Sequence, residues 1–475
     1  MMKRREFLKT AGLSLLSLVS SGCAAAPAGY PRKTAGRKPN FVFILIDDLG
    51  WRDLGFMGST YYETPHIDEL ATEGVVFTSA YTNAPNCAPT RACLMSGQYG
   101  PRHGIYTVGT SERGPANMRK LIPVKNTRSL PTSSITIAEA LKAGGYTSAC
   151  IGKWHLGRAK PYRPQDRGFD FVFDRTGGGH FTRDSQYLTD VLTDKALEFI
   201  ESNKNRPFFL YLAHHAVHTP IQAKPELIRK YEKKKGDAIH NNPTYAAMIE
   251  SVDESVGRIL NKLKCLGLAE ETVVFFFSDN GGYGNVTAMT PLRGSKGMLY
   301  EGGIRVPLIV RWPGRAKPGR CEVPVIGIDF FPTMLEMASL PRPRGHILDG
   351  ESIVPLLKGR DKLKRTAIYW HFPAYLEPYN EKQRPWRTTP AGAVRKGDWK
   401  LIEFFEDGKL ELYNLKEDIG ESNDLACALP KKTRELHNML LAWRKRLNAP
   451  VPTEKNPRYD PNAATTIRPG KRKKA

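Results

Sequence analysis

The seven cysteines of this 475-residue sequence show no paired spacing and no C-x-x-C. That pattern implies neither a disulfide framework nor a zinc site, although a single pair such as Cys150 with Cys265 stays open. Acidic residues are also in short supply: 48 Asp and Glu stand against 71 Lys and Arg, a formal net charge of +23. Net charge speaks to partners and not to fold. This excess points to nucleic acid, an anionic surface or an anionic substrate, or else to a merely solvated basic exterior. The signatures of nucleic-acid binders are missing: there is no zinc finger, no basic helix with heptads and no RNA-binding aromatic motif. The chain is therefore not expected to bind nucleic acid. Its 40% hydrophobic content is ample for a large core, with one big domain and a smaller appendage expected.

The apolar run from Ala11 to Val19 is too short to span a bilayer as a mature helix. It follows Lys3-Arg4-Arg5-Glu6-Phe7-Leu8-Lys9, which resembles a twin-arginine motif, so residues 1–28 are read as an export signal. Such a signal implies a bacterial protein exported in folded form, periplasmic if released. Ser20-Ser21-Gly22-Cys23 looks like a lipoprotein cleavage site, with Ser20 where a leucine is usual. Lipidation of Cys23, which would anchor the protein to the membrane, and ordinary cleavage near Ala24-Ala25-Ala26 both stay open. Residues 29–38 read as a Pro/Gly/basic linker.

Phe41 to Ile46 is a continuous β-branched and aromatic run, the pattern of a strand buried on both faces in a parallel sheet. It ends in Asp47-Asp48, adjacent carboxylates that repel each other and need a counter-charge. The same grammar recurs three times. Tyr146 to Ile151 leads into Gly152-Lys153-Trp154-His155. Phe208 to Ala213 leads into His214-His215-Ala216-Val217-His218. Val273 to Ser278 leads into Asp279-Asn280. Between them, residues 188–200 and 248–263 carry apolar side chains at three- and four-residue spacing, as amphipathic helices do. Alternating strands and helices define an α/β sheet, and ligands collect outside the carboxyl ends of its strands. Four chemically loaded strand ends therefore predict an active site. Further on, residues 304–311 read as a strand and 329–337 as a helix. Residues 292–303 read as a glycine-rich loop that carries Arg293 and Lys296. From Ala367 short alternating strands appear, followed by a basic helix over 431–447.

One stretch stands apart. Asn83 to Gly97 contains Cys87-x-Pro89-x-Arg91. Pro89 suits the first turn of a helix, which puts Cys87 just before a helix N-terminus, where backbone N–H groups and the dipole favour negative charge. Arg91 adds a permanent cation with a fork geometry for oxyanions. A lone cysteine is ordinarily a buried structural residue, but this wording resembles the signature of the type I, formylglycine-dependent sulfatases. The resemblance runs from about Pro39 to about Asp460. It implies an alkaline-phosphatase-like fold: a catalytic domain over 39–365 with a large, mostly parallel sheet flanked by helices, and a C-terminal subdomain over 366–448 with an antiparallel sheet and a helix. Residues 449–475 form a basic tail, the last of it expected to be disordered.

The resemblance also implies roles. Cys87 is converted to formylglycine by a separate maturing enzyme, and its hydrate serves as nucleophile and metal ligand. Asp47, Asp48, Asp279 and Asn280 match the family's cation ligands, all oxygen donors suited to Ca2+ or, second, Mg2+. Arg91 stabilises the modified residue. Lys153 and His155 match the lysine and histidine beside it, with His155 as the base that releases sulfate. His218 protonates the leaving alcohol, and Lys296 holds sulfate oxygens. Arg293, His215, His180 and His103 are weaker candidates for substrate contacts, and His214 is as well read as structural. A sulfated carbohydrate, of galactose or N-acetylgalactosamine type by general resemblance, fits the basic charge. Two other readings stand beside it: a phosphate or phosphonate ester hydrolase of the same superfamily, and a non-catalytic polyanion-binding protein.

Overall fold

Strand β1, Asn40–Ile46, runs through the middle of the molecule, and all seven of its residues are buried. Its side chains divide between two cores at period two. Phe41, Phe43 and Leu45 pack with Ala92 and Met95 of the helix Cys87–Ser96 and with Phe330 of the helix Phe330–Met337. Val42, Ile44 and Ile46 face the other way, toward Leu192 of the helix Leu188–Ser202 and Ile249 and Val256 of the helix Pro243–Cys265. A strand covered on both faces cannot alternate apolar and polar residues, which is why the run is unbroken.

The computed structural model describes residues 38–174, 179–379 and 385–463. The expected export signal, the Cys23 site, almost all of the linker and the end of the tail lie outside the described residues. The other described strands, in chain order, are β2 Val75–Phe77, β3 Ala80–Tyr81, β4 Thr147–Gly152, β5 Phe171–Phe173, β6 Phe208–Ala213, β7 Thr272–Ser278, β8 Leu308–Arg311, β9 Gly319–Cys321, β10 Val325–Ile326, β11 Ile368–Phe372, β12 Ala391–Lys396, β13 Trp399–Phe404 and β14 Leu410–Asn414. The large sheet has the order β5-β4-β6-β1-β7-β8-β2-β9. Strands β5 to β7 are mutually parallel; β8 is antiparallel to both β7 and β2. Strands β11 to β14 form a separate antiparallel sheet, covered by Leu436, Leu440 and Trp443 of the helix Pro430–Leu447. No described helix is long and apolar enough to cross a membrane.

Register is what matters for chemistry. Ala213 of β6 pairs with Leu45 of β1 and with Gly152 of β4, while Ile46 of β1 pairs with Ser278 of β7. The residues that follow, Asp47, Lys153, His214 and Asp279, therefore emerge side by side along one edge of the sheet.

One expectation needs correction, and one open pairing is settled. Residues 304–311 are not one strand: Glu301–Ile304 is a helical turn and only Leu308–Arg311 is β. Pro307 cannot donate to a ladder, and Glu301 draws the first part into ion pairs with Lys400 and Arg305. Cys150 is a free, buried thiol inside β4 and does not pair with Cys265. Residues 449–463 are also pinned to the body, where the Ile122 N–H donates to the Glu454 carbonyl (2.9 Å) and the Asn456 N–H to that of Lys120 (2.9 Å).

Candidate active site

Asp47 and Asp48 leave β1 fully buried. Asp48 has a φ of +67°, in the left-handed region. That conformation costs a non-glycine residue about 1–2 kcal/mol, and aspartate tolerates it better than most. It cancels the alternation of an extended strand, so both carboxylates reach the same space. Oxygens of Asp47 and Asp48 and a ring nitrogen of His218 all lie within 4.8 Å of one another.

Asp279 and Asn280 continue β7. Arg91, without exposed surface, donates from Nε and Nη2 to Asp279 Oδ2 (2.9 and 2.7 Å) and from Nη1 to the Lys153 carbonyl (2.7 Å). Cys87 is the first residue of the buried helix Cys87–Ser96, with Asn86 at its N-cap. Its sulfur joins the carboxylates of Asp47 and Asp279 within the same 4.8 Å. Lys153 Nζ donates to Asp47 Oδ2. Lys296 Nζ sits 2.6 Å from Asp48 Oδ1. The loop that brings Lys296 lies against the end of β7, since the Lys296 N–H donates to the Gly282 carbonyl (3.0 Å) and that of Gly281 to the Gly303 carbonyl (3.0 Å). A Cβ on Gly281 would stand 1.9 Å from the Gly302 oxygen, so only glycine permits this approach.

The electrostatics follow from burial and proximity. Burial opposes charge on Lys153, but Asp47 outweighs it and raises the lysine's pKa; Asp48 does the same for Lys296. Burial would raise the pKa of Asp47, yet Lys153, His218 and Arg91 together hold it well below the usual carboxylate range. Burial, then the charge of Asp47, pushes Asp279 up to about 7 despite Arg91. Burial, Lys153 and Arg91 lower His155 to about 3, so it is neutral at neutral pH, and its buried Nδ1 has no hydrogen-bond partner among the described residues.

These residues fit a hard divalent cation. Asp47 Oδ1 and Asn280 Oδ1 are buried with no hydrogen-bond partner. The Asn280 amide is oriented by its Nδ2, which donates to Asp48 Oδ1 (2.8 Å). Buried, unpaired oxygens beside clustered carboxylates are what Ca2+ or Mg2+ coordination requires.

A cleft of about 1320 Å³ opens beside the cluster, lined near it by Asp47, Lys153, His155 and His218. His218 Nδ1 donates to the Thr219 carbonyl (2.6 Å), and its Nε2 is 3.7 Å from Asp48 Oδ2. His180 and His215 line the same cleft. His180 Nε2 donates to the His218 carbonyl (2.7 Å), and His215 Nε2 is 3.3 Å from Asp174 Oδ1.

Three candidates lie elsewhere. Arg293 is not at the cleft: its guanidinium stacks 3.9 Å from the Tyr300 ring centroid and donates to Tyr413 Oη and the Glu421 carbonyl, which ties the loop to the C-terminal sheet. His103 is buried against Cys93 Sγ (3.4 Å). His214 is buried with Nε2 on Ser255 Oγ (3.0 Å), facing the helix Pro243–Cys265. Conversely, the cleft is also lined by Asp174, Arg128, Arg158 and Arg163, which motif reading passed over. Arg158 was within reach, three residues past His155. Arg128 and Asp174 sit in stretches with no motif.

A doubly covered α/β sheet whose strand ends gather acidic and basic side chains around a helix N-terminus defines an alkaline-phosphatase-like hydrolase. Comparison with known proteins refines this. The sulfatase family model matches residues 39–340, and the model for the C-terminal region of N-sulphoglucosamine sulphohydrolase matches residues 295–447. A sulfatase of Formosa agariphila is 34% identical over 94% of this chain and 95% of its own length. The N-acetylgalactosamine-6-sulfatase of Canis lupus familiaris is 33% identical over 75% of this chain and 72% of its own. The crystal structure of Ps i-CgsB in complex with k-i-k-neocarrahexaose superposes with a TM-score of 0.73 at 29% identity, covering 86% of this chain and 93% of the other. The chain belongs to the sulfatase family and is a sulfuric ester hydrolase.

Proposed function

We propose that the protein removes O-sulfate groups from sulfated carbohydrate, with Cys87 matured to formylglycine as its nucleophile and with Asp47, Asp48, Asp279, Asn280 and the modified residue 87 holding Ca2+ or Mg2+. One observation carries this reading: residue 87 enters at a helix N-terminus within 4.8 Å of carboxylates from two adjacent strand ends. The carbohydrate class is supported by relatives named for N-acetylgalactosamine 6-sulfate and by the neocarrahexaose bound to Ps i-CgsB.

Matured and hydrated, residue 87 would offer two hydroxyls, one to attack sulfur as its alkoxide and one whose deprotonation would re-form the aldehyde and release sulfate. A cation held by Asp47, Asp48, Asp279 and Asn280 would offset the ester's charge and lower the pKa of the attacking hydroxyl. The chain's own groups do the rest. Arg91 fixes Asp279 and, through the Lys153 carbonyl, the strand end beside it. Lys153 and Lys296 flank the position of the sulfate oxygens and stabilise the charge of the transition state. As the bond from sulfur to the ester oxygen breaks, His218 Nε2 delivers a proton to the departing alcohol. His155, held neutral by its surroundings, takes the proton of the second hydroxyl.

The test is the mass of the peptide containing residue 87 from protein made alongside a sulfatase-maturing enzyme. Formylglycine or its hydrate is expected. An unmodified thiol, with a reference sulfatase converted in the same cells, would overturn the mechanism. Matched 4-nitrophenyl sulfate and phosphate distinguish the phosphorus-ester reading, under which phosphate is the faster substrate. We also place the protein in the periplasm through the twin-arginine segment; periplasmic recovery after Arg4→Lys with Arg5→Lys would refute that route.

A further inference from the structure

We propose that the outer wall of the cleft is a second anion subsite, built from Arg128 and Arg158, that favours oligosaccharides bearing another sulfate or a carboxylate beside the ester being cleaved. The inference rests on the sulfatase reading for where the first sulfate lies.

The wall is an extension of the reaction centre. The segment leaving β4 carries Lys153 and His155 and continues through Leu156 and Gly157 to Arg158. The Leu130 N–H donates to the Leu156 carbonyl (2.9 Å), which lays residues 128–130 alongside. The two segments touch, because a Cβ on Gly157 would stand 3.1 Å from Ser129 Oγ. Trp154 Nε1 donates to the Tyr162 carbonyl (2.9 Å), which brings Arg163 to the same cleft.

Pairing separates these cations. Lys153 is occupied by Asp47, and Arg163 by Asp166 at 2.7 Å. The cleft-lining carboxylates Asp47 and Asp174 are engaged by Lys153 and His215. Arg128 and Arg158 are exposed and have no ion-pair or hydrogen-bond partner among the described residues. Two unpaired guanidinium groups thus face a cleft with no unengaged carboxylate among its described lining residues, and their fork geometry suits sulfate and carboxylate. The volume of about 1320 Å³ exceeds the roughly 300–1,000 Å³ typical of small-molecule pockets, so more than one sugar fits.

The test measures binding and small-substrate turnover separately. Binding to the Cys87→Ala protein is measured by calorimetry, with and without Arg128→Ala and Arg158→Ala. The probes are neocarrahexaose, which offers sulfates, and a hyaluronan hexasaccharide, which offers carboxylates alone. The double substitution is expected to raise the Kd of at least one probe about tenfold, the modest loss expected for two solvent-exposed charge contacts, with weaker binding at higher salt. Arginine-dependent binding of neocarrahexaose alone assigns the second anion as sulfate; hyaluronan binding assigns carboxylate. Turnover of 4-nitrophenyl sulfate by matured protein is expected to change less than twofold on the double substitution. The proposal is overturned if the protein with both arginines intact binds neither probe, if both proteins bind equally, or if 4-nitrophenyl sulfate turnover falls as far as binding does. Failure of the matured, unsubstituted protein to hydrolyse any sulfate ester would refute the function instead, and arginine-dependent binding would still stand.

Discussion

Replacing Arg91 by methionine keeps much of its volume and removes its guanidinium. The structure shows what is lost: two bonds to Asp279 Oδ2, one to the Lys153 carbonyl, and the compensating charge for a carboxylate with no solvent contact. Breaking one side of a buried pair costs about 3–5 kcal/mol, because the remaining charge is stranded. Asp279 is already pushed up to about 7 by burial and Asp47, and losing Arg91 drives it higher, so the full cost is read well above pH 7 and protonation of Asp279 relieves part of it below. Removing the stranded charge as well, in Arg91→Met with Asp279→Asn, should recover most of the loss. The coupling between the two sites is then roughly 2 kcal/mol or more. Urea unfolding of the four proteins of this cycle, in chelator and in calcium, gives the quantity directly. A single-variant cost under about 1 kcal/mol, or strict additivity, would show that the pair does not anchor the helix Cys87–Ser96 to the end of β7.

Replacing His218 with alanine is expected to slow an alkyl sulfate at least about tenfold more than 4-nitrophenyl sulfate, since only the alkoxide needs a proton; equal losses on both would remove its acid role. Asp279→Ala should abolish stoichiometric calcium, and retained calcium by elemental analysis would contradict the proposed ligand set. Acid sensitivity should come partly from His103 and His214. Burial lowers both to about 3, against 6.5 in the unfolded chain. The unfolded chain therefore binds the extra protons between about pH 3 and 6.5. Stability is full above 6.5 and falls on acidification by about 1.4 kcal/mol per pH unit for each histidine. His214→Asn should narrow the difference in unfolding midpoint between pH 7 and pH 5, and an unchanged difference would contradict this account.

Much of this protein is legible in its sequence because local chemistry leaves periodic marks. Apolar runs marked β1, β6 and β7 as strands, with β1 read as covered on both faces, and abrupt polar endings marked the edge at which Asp47, Lys153, His214 and Asp279 emerge. Cys87-x-Pro89-x-Arg91 marked a helix start and, by resemblance, the sulfatase family. Residues 304–311 misled because their apolar residues do not reveal a helical turn held by a distant ion pair, although Pro307 already marked a break in the ladder.

What only the tertiary structure decided is which charges meet. Sequence places Asp47 and Asp279 more than two hundred residues apart; the β1–β7 register makes them neighbours. Arg293 and Lys296 are three residues apart in one glycine-rich loop, yet one turns to the C-terminal sheet and the other to Asp48. Arg128 carries no motif and reaches the cleft only because Leu130 is hydrogen-bonded to Leu156. Short-range sterics and hydrophobic patterning act within a few residues and can be read along the chain. Charge pairing acts through space at a few ångströms, and it is defined only once the strands are in register.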